Sequence, residues 1–212
     1  AGSCTGAWPK RSPRAPALFV YGSLMQRKYW RSVVGAKAAA AIRIAPARLR
    51  GWKRWWNGVR TSYGGAVLNL KRDSERHLWG GVVEGLSEEA CARLDEQERS
   101  HLPRARVLVV TARGRRIWAY CYRQRVRGPE RMPAAGYVAA VRAGAMALGT
   151  TVSRDVEVDV ARLSLRVRRA SRGPRRRSAK PSLSLNAAAC RDLSIPHPLL
   201  FHPPRKEQIR LP

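Results

Sequence analysis

Apolar and polar positions alternate in short blocks between residues 17 and 160, and the blocks have recognisable periods. Ala17-Leu-Phe-Val-Tyr21 is an apolar run stopped by Gly22-Ser23, the pattern of a buried strand that enters a tight loop. The stretches 65–70 and 78–86 (GAVLNL and LWGGVVEGL) read as two further strands joined by a polar turn over 71–77. Ser87-Glu88-Glu89-Ala90 opens a helix, with Ser87 as N-cap and two acids in the first turn, and this helix carries Cys91, Leu94 and Glu98. The runs 106–111 and 116–122 predict a hairpin about Arg113-Gly114. The spacing from Pro133 to Gly149 predicts a second helix, with Tyr137, Val141, Gly144 and Leu148 near one face. After Val160 the apolar pattern fails, and the chain becomes basic, turn-rich and finally Pro-rich. Strands mixed with few helices predict an α+β fold in three zones: a basic extension over 1–16, a folded domain over 17–160 and an extended basic tail over 161–212.

Charge changes this picture more than composition does. The chain of 212 residues has 42 Lys+Arg against 14 Asp+Glu, a net charge of +28. A compact chain so far from neutrality repels itself, and a polyanion is the partner that relieves it. The bias is carried by 35 arginines, whose planar fork suits phosphate and base stacking; a GC-rich genome would also favour arginine but not the shortage of acids. Cys4, Cys91, Cys121 and Cys190 are too far apart for a zinc ribbon, and His77, His101, His197 and His202 are too dispersed for a metal site, so no metal and no cofactor are expected. No run approaches the roughly 20 apolar residues of a membrane span, so no membrane partner is expected. The opening sixteen residues are basic and acid-free, as is a mature end left by an organellar presequence; loss of the initiator Met alone would leave the same mark.

Two stretches fit nucleic acid. Trp52, Lys53, Arg54, Trp55 and Trp56 interleave aromatic rings with cations, an arrangement that stacks on unpaired bases and clamps phosphates. The other reading is a strand in which one or two of these tryptophans face the core. In the tail, Arg166, Arg168, Arg169, Arg172, Arg175, Arg176, Arg177 and Lys180 form a run with few balancing acids, expected to lie on RNA phosphates; it would also serve as a nuclear-localisation patch.

Five segments in order, Tyr21-Gly-Ser-Leu24, Trp79-Gly-Gly-Val-Val83, Leu94-Asp-Glu-Gln-Glu98, Ala119-Tyr-Cys-Tyr122 and Pro133…Tyr137…Gly149, resemble the gamma-glutamylcyclotransferase-like (AIG2-like) family over residues 17–151. The resemblance implies a mixed β-barrel with flanking helices. It implies that Tyr21, Gly22, Ser23 and Leu24 offer backbone groups to a γ-glutamyl moiety. It also implies that Glu98 is the general base that frees the substrate's α-amino group for attack on its own γ-carbonyl. Without the resemblance, Tyr21 reads as a core residue, and Glu98 as a helix-end carboxylate paired with Arg99, Arg104 or Arg106. The chain departs from the family after Glu98, where Arg99 replaces the usual Gly and Leu102–Ala105 replaces a stretch with an aromatic residue.

Two functions follow. The charge points to a structural, RNA-binding component of a ribonucleoprotein, with a mitochondrial ribosome first, a plastid ribosome second, and ribosomal RNA and neighbouring ribosomal proteins as partners. The inherited pocket points instead to an active gamma-glutamylcyclotransferase, mitochondrial or cytoplasmic, that forms 5-oxoproline from γ-glutamyl peptides or amines.

Overall fold

Strand β1 (Ala17–Val20) is buried at all four positions and is covered on both edges, by β3 (Gly65–Glu84) in antiparallel and by β5 (Arg116–Cys121) in parallel register. The computed structural model of the chain describes residues 16–60, 64–99, 104–125 and 128–171. Five strands close into a barrel in the order β1-β3-β2-β4-β5, where β2 spans Arg43–Arg60 and β4 spans Ala105–Thr111. Closure removes the open edges that a short sheet would otherwise expose. The architecture is the α+β barrel with flanking helices expected from the sequence.

The polar segment 71–77 is not a turn. It belongs to β3, which runs as one long antiparallel ribbon with β2. The pairing passes from Arg50 opposite His77 to Trp52 opposite Arg72, so four residues of β3 bulge against Gly51, whose φ of +77° suits a residue without Cβ. Around this bulge most residues of β3 are solvent-exposed, so the in–out alternation that marks a half-buried strand is lost.

Helix α1 (Arg27–Val34), α2 (Ala36–Ala41) and a 3₁₀ turn at Ser23–Met25 follow β1. Helix α3 (Glu88–Gln97) starts as predicted, with the Ala90 N–H donating to Ser87 Oγ at 3.1 Å. Helix α4 (Ala135–Ala147) buries Tyr137, Val141 and Gly144 on one face. The boundary expected at 160 is wrong, because helix α5 runs without a break over Thr150–Ser171. Val152, Val156 and Leu163 lie on its buried side and join the barrel's core, so the residues just beyond 160 belong to the folded domain and not to a tail. No described helix is long and apolar enough to cross a membrane.

Candidate active site

The spacing within α3 turns a carboxylate inward. Ala90, Cys91 and Leu94 are buried on one face, and Glu98, four residues after Leu94, falls on that face one turn later. Glu98 caps the helix at its C-terminus, its N–H donating to the Leu94 carbonyl at 2.8 Å, and the residue is only 5% exposed. Carboxylates are rarely this buried without a structural or chemical use. Of the arginines nearby in sequence, Arg99 pairs with Glu96, Arg104 contacts Asp95 at 3.5 Å, and Arg106 lies over the Trp118 ring.

Glu98 lines a narrow cleft of about 40 Å³ together with Tyr21, Gly22, Ser23 and Leu24 from the end of β1, Leu68 from β3, Tyr122 after β5 and Tyr137 of α4. The loop is held from several sides. Trp30 of α1, fully buried, donates from Nε1 to the Leu24 carbonyl at 2.8 Å. The Tyr21 hydroxyl donates to the Tyr122 carbonyl at 2.7 Å. Gly22 has no room for a side chain, since a Cβ there would sit 2.9 Å from Tyr137 Oη, which itself accepts the Leu68 N–H at 3.2 Å. The turn's own bonds use the Met25 and Gln26 amides, and a turn has no internal acceptor for its leading amides, which are those of the cleft-lining residues.

Two of the cleft's phenols, Tyr21 and Tyr122, are donors, not bases. Burial, reinforced by Cys121, Tyr137 and Glu98, holds Tyr21 well above the ordinary tyrosine range. Burial and its hydrogen bond to Asp95, at 2.7 Å, hold Tyr122 above it too. The structure therefore places Glu98 and the Tyr21–Leu24 loop in one pocket, with Tyr21 also packed in the core. Trp30, Asp95 and Tyr137 position this site. Trp30 was open to prediction from the apolar spacing of Tyr29, Trp30, Val33 and Val34 in α1.

The aromatic–basic cluster resolves into three fates. Arg54 is fully buried: Nη1 reaches Asp155 at 2.6 Å and Asp159 at 3.0 Å, Nη2 donates to the Trp79 carbonyl, and Nε donates to the Tyr21 carbonyl at 3.4 Å. Trp52 and Trp56 are 4% and 0% exposed. Arg54, Trp52 and Trp56 are therefore corrected from RNA contacts to interior residues, because inward-facing positions of the β2 ribbon bury them against the core and α5. Trp55 is half-buried, with Lys71, Lys53 and Arg166 around its ring, while Lys53 pairs with Asp73 at 2.8 Å. Arg166 pairs with Glu130 at 2.7 Å, and Arg168 and Arg169 are exposed on the last turn of α5, where cations oppose the helix dipole favourably. Arg172, Arg175, Arg176, Arg177 and Lys180 lie outside the described residues. Among those described, no three His, Cys, Asp or Glu side chains gather as a metal-holding group.

Comparison with known proteins follows the same lines. The family model described as gamma-glutamyl cyclotransferase, AIG2-like matches residues 18–139. A solved structure named gamma-glutamyl cyclotransferase is 18% identical, superposes with a TM-score of 0.57, and pairs 68% of this chain with 86% of its own. The crystal structure of an uncharacterized protein from Homo sapiens is 19% identical with a TM-score of 0.57, over 68% of this chain and 85% of that one. YkqA from Bacillus subtilis is 16% identical with a TM-score of 0.60, over 70% of this chain but 54% of its own. These likenesses are of fold. No curated protein matches the chain.

Proposed function

The chain belongs to the gamma-glutamyl cyclotransferase, AIG2-like family, and from that premise we propose that it releases 5-oxoproline from γ-glutamyl peptides or amines, with Glu98 as the general base. The observation that carries this reading is the burial of Glu98 in the same cleft as the Tyr21–Leu24 loop. Glu98 accepts a proton from the substrate's α-ammonium group. The freed amine attacks its own γ-carbonyl carbon and a five-membered ring closes. The bond from that carbon to the departing nitrogen then breaks as Glu98 returns the proton to that nitrogen, and the second proton that the ring nitrogen sheds on becoming the lactam N–H leaves with the released amine as its ammonium form. The products are 5-oxoproline and a free amine, with no oxidant or water consumed. Because nucleophile and electrophile belong to one molecule, the protein's task is to fold the substrate into the reactive geometry and manage the proton. Backbone amides of the Gly22–Leu24 turn are suited to hold a substrate oxygen as negative charge develops.

The test is release of 5-oxoproline by the purified full chain from γ-glutamyl amino acids and γ-glutamyl amines, with α-glutamyl isomers as controls. The γ-linked compounds should react, and the α-linked ones should be inert because no leaving group sits on their γ-carbon. Failure of every γ-linked compound would remove the proposal.

A second reading keeps the chain bound to RNA within a ribonucleoprotein, and the observation favouring it is the net charge of +28. Sedimentation of a native lysate with and without ribonuclease tests it: a ribonuclease-sensitive heavy fraction is expected, and migration as a free monomer in both would oppose it.

A further inference from the structure

Away from the cleft, the outer face of the barrel carries a groove of about 570 Å³ lined by Arg50, Arg72, Arg106 and Arg116 with Trp52 and Trp118. Strand alternation builds it. Arg106, Leu108 and Val110 of β4 stand on one face, opposite Tyr120, Trp118 and Arg116 of β5 in register. All four arginines are exposed, and among the described residues none of them is held in an ion pair, nor does any acid line the groove. Three exposed arginines outside the groove do have acidic partners: Arg93 has Glu89, Arg115 has Glu84 and Arg142 has Glu157.

Within this positive groove Trp118 is 57% exposed, with the Arg106 guanidinium 4.6 Å from its ring centre. Arg72 lies 4.1 Å over the buried Trp52 in the same way, so its charged head is carried on an aromatic floor. An apolar partner would leave four guanidinium groups to be desolvated without compensation. An acidic peptide would satisfy them but leave the exposed indole without a stacking partner. A duplex would offer phosphates with its base faces closed. A single strand supplies both phosphates and open base faces.

We propose that this groove binds single-stranded RNA, with an unpaired base stacked on Trp118 and phosphates held by Arg50, Arg72, Arg106 and Arg116. The proposal deepens the RNA-bound reading and rests on it; it is independent of the cyclotransferase chemistry. It also moves the base-stacking contact from the tryptophans of 52–56 to Trp118, with the buried Trp52 serving only as part of the groove's floor.

Fluorescence anisotropy of a labelled oligouridylate with the full chain tests it, using Trp118→Ala, Trp118→Phe and the double variant Arg106→Gln/Arg116→Gln, and a blunt RNA duplex as second probe. Trp118→Ala should weaken oligouridylate binding about tenfold and leave the duplex unchanged, while Trp118→Phe keeps most of the affinity. The arginine double variant should lower the slope of log affinity against log salt by about 1.4, at ~0.7 per single-strand phosphate contact. If Trp118→Ala fails to fold, the arginine pair decides alone, since both side chains are exposed. Wild-type affinity and slope in all folded variants would place the RNA elsewhere on the chain and overturn the groove while leaving the RNA reading intact. Absence of any oligouridylate binding by the wild type would overturn both. Tighter binding of oligoglutamate than of oligouridylate would assign the groove to an acidic protein and overturn the proposal.

Discussion

Arg54 Nη1 lies 2.6 Å from Asp155 Oδ2, joining a fully buried arginine of β2 to a helix 101 residues further along the chain. The same carboxylate oxygen accepts the Trp79 N–H at 2.8 Å, Asp159 takes a second bond from Nη1, and Arg162 in turn pairs with Asp159 at 2.9 Å. Helix α5 is thus clamped to the barrel by a hydrogen-bonded charge network. Through Arg54 Nε the clamp also reaches the carbonyl of Tyr21, next to the cleft loop. Removing one member of such a set leaves the others buried and uncompensated. Arg54→Met should cost about 3–5 kcal/mol in urea unfolding, and adding Asp155→Asn and Asp159→Asn should recover part of the loss. A cost below ~1 kcal/mol for the single variant would contradict a buried, paired Arg54.

The contact between Gly22 and Tyr137 should show as non-additivity. Gly22→Ala places a methyl group 2.9 Å from Tyr137 Oη and should destabilise by about 1–3 kcal/mol. Tyr137→Phe removes the oxygen in the way, at the cost of the acceptor for Leu68 N–H. A double-mutant cycle measured by denaturant unfolding should therefore give less destabilisation for the pair than the sum of the singles. Simple additivity would mean that the two groups do not meet.

Alkaline pH should weaken the fold, for a stated reason. Burial pushes the thiols of Cys91 and Cys121 up to about 12, from an ordinary value of 9.0. The folded chain therefore keeps two protons that the unfolded chain releases first. The stability from these thiols is full below pH 9 and declines as the pH rises toward 12. The urea midpoint should be lower at pH 11 than at pH 8. At pH 8, iodoacetamide should leave Cys91 and Cys121 unmodified in the folded protein and alkylate both in urea, as read by peptide mapping. Rapid alkylation of either in the folded protein would contradict the assignment.

Ser87 sets the phase of the helix that delivers Glu98. Ser87→Ala removes the acceptor for the Ala90 N–H and should cost about 1 kcal/mol, measured as a shift of the denaturation midpoint without a change in slope. An unchanged midpoint would mean that the cap contributes nothing to α3.

The parts of this protein that are legible in its sequence are those whose signals are local. The apolar run into Tyr21, the Ser87 cap and the Leu94-to-Glu98 spacing are each read within a turn or two of chain, while their meeting at one cleft is implied only by the family resemblance. The β2–β3 ribbon was misread because exposure around its bulge erases alternation over 71–77. Helix α5 was missed because its arginines mask an apolar side marked by Val152, Val156 and Leu163. The role of Arg54 has no local signal at all, since Asp155 and Asp159 stand 101 and 105 residues away, and only the folded barrel brings them together. The Trp118 groove is hidden for the same reason: its four arginines come from four strands.

The most direct measurement is 5-oxoproline release from a γ-glutamyl amine by the wild type and by Glu98→Gln, with a thermal melt of each. Gln keeps the shape and the helix cap but cannot take a proton from the substrate. The expected result is turnover by the wild type, a fall in kcat of about 10²–10⁴-fold in Glu98→Gln, and closely similar melts. Equal turnover by the two proteins, or none by either, would contradict the assignment of Glu98 as the base of a working cyclotransferase.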